Sequence, residues 1–330
     1  MTYSSGGLIQ ATDYNGFAST NSGANINAAW GTATTSGGYG QTPVATVSTG
    51  GTVTATQWAT LNNTITSVAN HTGTSITART NPVAGNTIAV LSALNTDITN
   101  CVTNRNNAAS VGSQVANWTG TTAKTGSTGS GSNSWTITFT HTVTFANTTA
   151  LYSFFNSGGY IQIQFGKTST GTVADTEWNN FIGNGTANGV VARIVQTGAA
   201  ASKTIASTGY TGTTKFSGTG TPATLATTIG VYALTGTPQT IYKQFDSGSA
   251  YSSNYVQINA SISGSVITYT TTWYDNGDGN AGSTAQISGG TQGSGATFGT
   301  APTTLLTYYP PETTYLTNTW GTPTVAATVA

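Results

Sequence analysis

The chain has 330 residues and is 36% hydrophobic, yet only 5% of it is charged and its formal net charge is zero, where an ordinary globular protein is about 25% charged. That length is enough for a large core, and 10% aromatics without net charge set it apart from disordered low-complexity chains. Eight Lys and Arg against eight Asp and Glu form no basic stripe that could follow phosphates or hold an anionic bilayer, so neither nucleic acid nor membrane is expected as a partner.

Near-neutrality has a second consequence. Little repulsion keeps copies apart, which favours self-association. The single cysteine, Cys101, rules out a disulfide framework within the chain. The opening MTYSSGGLIQATDYN has neither a basic nor an apolar segment of the secretory kind, and no apolar run approaches the length of a membrane-spanning helix.

Residues 1–50 read as an N-terminal arm. Ala11, Tyr14, Phe17 and Ala18 form one apolar stripe and Ile26, Ala29 and Trp30 another, before the loop GTATTSGGYGQTP. Such an arm has little core of its own and is expected to pack on a neighbour. Residues 51–118 are the helical part. Thr54 and Gln57 make a T-x-x-Q capping box, and Trp58, Leu61, Ile65 and Val68 follow at spacings of three, four and three. A loop containing Pro82 leads to a second stripe, Leu91, Leu94, Ile98 and Cys101, with the same spacings. Two matched stripes predict an antiparallel helical hairpin, or alternatively a seam between copies across a symmetry axis. His71 is expected just past the first helix, as a cation facing its C-terminal dipole.

Residues 119–133, TGTTAKTGSTGSGSN, have linker composition. The β-rich domain, 134–306, opens on SWTITFTHTVTF. Trp135, Ile137, Phe139, Val143 and Phe145 share one parity with His141, and threonines occupy the other, the pattern of a strand with one buried face. Asn147 caps a short helix that turns Leu151, Phe154 and Phe155 inward; Gly158–Gly159 end it, and Tyr160 to Phe165 resume a strand. ADTEWNNFIGN (174–184) reads as a second short helix, with Asp175 and Glu177 near its positive end and Trp178, Phe181 and Ile182 inward. Val190, Val191, Ile194 and Val195 form a further strand, with weaker strand candidates at 203–216, 228–234 and 239–245. Tyr255–Ile262 and Val266–Trp273 form a hairpin about a Ser-Gly-Ser turn, with Ile267, Tyr269 and Trp273 on one face. The tail 307–330 is expected to be an extended arm anchored by Tyr308, Tyr309, Tyr315 and Trp320. The fold class is therefore α+β, mainly β: arm and helical hairpin, then an antiparallel, sandwich-like β-rich domain with two short helices.

The chemistry needed for catalysis is sparse. There are two histidines, and neither belongs to an H-x-H or H-E-x-x-H pattern; with no C-x-x-C either, no transition-metal site is expected. DNGDGN (275–280) places glycines where a calcium loop needs oxygen ligands and reads as a turn. Asp175 and Glu177 could form a glycosidase pair only if they flanked a sugar in a cleft; in a helix's first turn they complement its dipole. No nucleophile elbow or phosphate loop is present, and neither enzyme activity nor a cofactor is expected.

The stretches GLIQATDYNGF, INAAWG, GYGQTP and TVTATQWATLNNTITSVANH, then FANTTALYSFFNSGGYIQIQF with TEWNNFIG, and SNYVQINASIS with ITYTTTWYDNGDG, resemble a recurring pattern in virion structural proteins of tailed bacteriophages, of the marine tail-fibre-like or appendage kind. The likeness covers most of 7–107 and 134–279; its FFNSGG block is distinctive and its Thr/Gly background is not. It implies a virion component that self-assembles into a tail, collar or head fibre, and it carries no catalytic residues. The expected partners are copies of the chain, a trimer favoured, and other virion proteins. A capsid or tail decorating subunit is the alternative. A receptor-binding protein that contacts a host surface glycan through Tyr308, Tyr309, Tyr315 or Trp320 is a second.

Overall fold

The computed structural model describes residues 10–20, 25–83, 91–115, 135–167, 178–179, 182, 191–194, 203–246, 252–275 and 302–330, with the backbone alone for Thr20, Leu91, Ser92, Trp135 and 191–194. The expected linker at 119–133, together with Asp175, Glu177, Phe181 and 276–280, lies outside these residues. The chain is mainly β with a few helices, as the sequence predicts.

In the N-terminal part, α1 (Ala11–Asn15) runs into a π-helical turn (Gly16–Thr20), and α2 (Asn27–Trp30) follows. The neighbour this arm packs on is the chain's own helix α3 (Ala55–Thr72): the Trp58 ring meets Tyr14 edge-on at 5.5 Å and Phe17 at 6.3 Å. Helix α3 starts on the expected capping box. The Thr54 hydroxyl accepts from the Gln57 N–H (3.2 Å), while the Gln57 carboxamide oxygen accepts from the Thr54 N–H (2.8 Å). Gly73, left-handed at φ 70°, ends it.

The second helix, α4 (Leu91–Thr103), packs on α3, with the Cys101 thiol 3.9 Å from the Ile65 carbonyl. Their relation is not antiparallel. An antiparallel hairpin would bring the end of α3 beside the start of α4, but Asn104, just past α4, donates to Thr74, just past α3 (3.0 Å). Asp97 is the physical reason. Its carboxylate accepts from the Thr77 N–H (3.0 Å) and from Arg79, so the connection runs back along α4 before α4 begins.

The strands form three sheets. Six strands make the largest, in the order β13 (Thr324–Val329), β2 (Trp135–Thr144), β11 (Val266–Asp275), β10 (Tyr255–Ser263), β9 (Gln239–Phe245) and β8 (Thr224–Leu225). The second sheet runs β12 (Thr303–Tyr309), β3 (Tyr160–Gly166), β4 (Val191–Ile194) and β7 (Thr213–Ser217). A small third sheet joins β1 (Asn107–Ala108), β5 (Lys203–Ile205) and β6 (Thr208–Tyr210). The first two pack face to face. Trp273 of β11 meets Phe165 of β3 edge-on at 5.8 Å and donates its indole N–H to Thr304 of β12 (3.0 Å). Trp178 stacks on Trp273 at 5.7 Å.

Alternation sets every inward position of β2. Ile137, Phe139, His141, Val143 and Phe145 are buried, and the threonines between them are half-buried on the other side. Helix α5 (Thr148–Asn156) closes one end of the sandwich; Asn147 caps it by accepting from the Ala150 N–H (2.9 Å). Gly158 (φ 98°) lets the chain turn back into β3, and a Cβ at Gly159 would lie 2.5 Å from the Phe154 ring. The β10–β11 hairpin pairs Ser263 with Val266 through Gly264 (φ 59°) and Ser265. The candidate strand at 228–234 is instead a 3₁₀ turn (Val231–Ala233); its buried Val231 and Leu234 are three apart, which suits three residues per turn.

The C-terminal stretch is part of the sandwich. A boundary at 306/307 falls inside β12, which pairs with β3 from Thr303↔Gly166 to Tyr309↔Tyr160, and β13 pairs with β2. The main apolar core runs from Ala11 to Trp320 and includes residues of α3, α4, α5 and both large sheets, and a small second cluster joins Ala108, Tyr160, Ile205 and Tyr210.

Candidate assembly surface

The outer face of the six-stranded sheet is built by the residues that alternation turns away from the core. On β2 these are Thr136, Thr138, Thr140, Thr142 and Thr144, which stand opposite Tyr274, Thr272, Thr270, Thr268 and Val266 of β11. Beyond them lie Tyr255, Gln257, Asn259 and Ser261 of β10. One row crosses five strands as Thr328, Thr140, Thr270, Asn259 and Thr240. These side chains are short, β-branched or amide-bearing, which suits a pleated surface, and they bond laterally: Thr240 donates to Asn259 (2.9 Å), as does Gln257 (3.0 Å). At one end Tyr255 stacks on Tyr274 (4.9 Å) and meets Phe245 edge-on (5.7 Å). Lys243 brings charge to this face, and its ammonium sits over the Tyr255 ring at 3.8 Å and the Phe245 ring at 4.7 Å.

The expected seam lies inside the chain. Trp58, Leu61, Ile65, Val68, Leu94, Ile98 and Cys101 are buried in the common core, and the Leu91 side chain is outside the described residues. Burial pushes the Cys101 thiol up to about 12, so it is an inert packing group. Of the β core positions, Ile137, Phe139, Val143, Phe145, Phe154 and Phe155 are fully buried; the Trp135 side chain is not described. Among the arm aromatics, Tyr308 and Trp320 are buried and Tyr309 stacks on Tyr160 at 4.5 Å. Tyr315 is 38% exposed and is no anchor. It sits in the bend 313–316, where the next residue, Leu316, points inward in its place.

Several ionisable groups inside the fold are held by structural partners. Lys203, fully buried, donates to the Phe155 and Asn156 carbonyls at the C-terminal end of α5 (2.8 and 2.7 Å), and desolvation lowers its ammonium to about 7. His71 lies within the last turn of α3 and not just past it, and at 1% exposed it is buried against the rest of the fold. Burial holds it below the ordinary imidazole range, and its Nδ1 lies 3.0 Å from the Glu312 carboxylate. The proton it donates there and the Thr314 N–H hold Glu312 in its ionised form, against the opposing effect of burial. His141 packs between the sheets, and desolvation depresses it to about 4.

Sequence reasoning missed a set of amide clamps. Asn15 takes both the N–H and the C=O of Val47 (2.7 and 2.8 Å), and Asn27 does the same with Val44 (2.8 and 2.9 Å). Gln41 bonds both backbone groups of Thr317 (2.9 Å each). Each carboxamide stands in for a neighbouring strand, and Gln41 ties the N-terminal arm to the C-terminal stretch. An Asn or Gln among many polar residues carries no local mark of this use.

A groove of about 590 Å³ runs between 111–115 and 308–322, with Glu312, Asn318, Tyr308 and Trp320 among its walls. Both Glu312 oxygens are already engaged. Among the described residues no cluster of three or more His, Cys, Asp or Glu could hold a metal ion, and no helix is long and apolar enough to cross a membrane. Comparison with family models, with curated proteins and with solved structures finds no match.

Proposed function

We propose that the protein is a non-enzymatic structural subunit of a tailed-phage particle, assembling with copies of itself, as a trimer, into a fibre or other appendage. The observation that carries this reading is the outer sheet face, a broad run of hydroxyls and amides with Lys243 folded down on aromatic rings. Bringing two such faces together adds little like-charge repulsion, because Lys243 is held at one end over aromatic rings, and the many donors and acceptors can exchange water for each other. The interior supports the same reading, because Lys203 and Asp97 hold backbone, and Glu312, although it lines the groove, has both oxygens taken up by His71 and Thr314. The resemblance of 145–165 and its flanking stretches to tailed-phage structural proteins supports the virion as the destination.

The same face suits the alternative of a decorating subunit laid flat on another virion protein. Glycan binding draws less support, since Trp320 is only 2% exposed and cannot offer its ring to a sugar. Electron microscopy of the purified protein tests the proposal: repeating, ordered assemblies are expected, and single dispersed subunits at micromolar concentration would refute it.

A further inference from the structure

The largest sheet has two unlike edges. At one side β8 is two residues long, the short kind of edge that resists further pairing. The other side is β13, TVAATV, six residues long. Its pairing with β2 is unbroken from Thr324↔Thr144 to Val329↔Phe139, without a bulge. It contains no charge and no proline. Among the described residues none of the usual protections of an edge is present.

Hydrogen-bond parity fixes which groups this edge offers. Thr138 and Ala330 exchange both backbone bonds (3.0 and 2.9 Å). In an antiparallel ladder bonded pairs alternate, so Thr328, Ala326 and Thr324 also face β2. The N–H and C=O groups of Val325, Ala327 and Val329 therefore point outward, and none of them meets a described residue. Their side chains lie on the core side, opposite Val143, His141 and Phe139. Val325 and Val329 pack against the core but remain only partly buried, so among the described residues the rim lacks a neighbour in both its hydrogen bonds and its packing.

We propose that β13 pairs with the β13 of a second copy, antiparallel about a two-fold axis at Ala327. Outward groups must meet outward groups, which permits odd residues to face only odd ones. With Ala327 on the axis, Val325 of one copy faces Val329 of the other, and every outward N–H meets a C=O. Alanine at the crossing point leaves room for close approach, and the absence of charge removes any cost of like-sign contact. The two hydroxyl faces then form one continuous surface. The contact rests on the edge geometry alone and not on the phage reading; in a trimeric assembly it would link one trimer to the next.

The test uses positions exposed on the hydroxyl face, where substitution spares the core. Ala326 and Thr328 face each other across the axis, so the double variant A326K/T328K opposes lysines twice, while A327P removes only an outward N–H and is tolerated on an edge strand. Mass measurement at micromolar concentration is expected to show the wild type associated and both variants reduced by a factor of two in mass, with unchanged circular dichroism. Mixing A326K/T328K with A326E/T328E is expected to restore the lost mass. A wild type that stays single, variants that keep the wild-type mass, or a mixture that stays dissociated would overturn the proposal. An assembly that persists in both variants would remove the edge contact and leave the subunit reading standing.

Discussion

The two faces of the six-stranded sheet come from the same strands and differ in almost every physical respect. The inner face of β2 and β11 carries Phe139, His141, Tyr269 and Trp273, all fully buried; Trp273 meets Phe139 on its own sheet and Phe165 on the second. One residue along, the outer face carries Thr138, Thr140, Thr270 and Thr272, half-buried beside their strand neighbours. The inner side carries the packing, and the outer side is the surface proposed for contact with other copies. A substitution's effect should therefore depend on parity more than on position along the strand.

Trp273→Ala breaks that contrast most severely. It empties the space between Phe165, Trp178 and Phe139 and leaves the Thr304 hydroxyl without its indole donor; denaturant unfolding should register a loss of about 3–5 kcal/mol. Next comes acid. His141 is depressed to about 4 by burial, so between its ordinary value near 6.5 and pH 4 the unfolded chain binds a proton that the folded chain refuses. Stability therefore falls as pH drops through that window, by about 3 kcal/mol for this residue. His71 and Glu312, both held below their ordinary values, act in the same direction. His141→Leu should flatten the wild-type loss across this window in pH-dependent thermal melts. On the outer face, Tyr274→Ala removes the stack on Tyr255 and should cost about 1 kcal/mol. The smallest change is Thr270→Ala, expected within about 0.5 kcal/mol of wild type; a cost near that of Trp273→Ala would erase the distinction between the faces.

What could be read from the sequence follows the same division between local and distant causes. The alternation of SWTITFTHTVTF, the capping box at Thr54 and Gln57, Asn147 as a cap and the β10–β11 hairpin each depend on residues a few positions apart, and each is present, the hairpin with a turn one residue tighter than expected because Ser263 pairs with Val266. The sense of α4 relative to α3 depends on Asp97 capturing Thr77, which no periodicity records. Lys203 serves a helix end 47 residues away, and Gln41 serves a backbone 276 residues away. TVAATV is too short and too small in side-chain volume to announce a strand, and it becomes one because β2 offers it a free ladder. The surface was legible as threonine parity, but its extent across five strands required the registers. Both terminal stretches contribute to the chain's own core, and the C-terminal one also carries β13, the edge proposed to meet a second copy.

Sedimentation equilibrium of the intact protein over a range of concentrations tests the self-assembly on which this account depends. A weight-average mass that rises to an integral multiple of the single chain is the predicted result; a mass fixed at one chain throughout would contradict it.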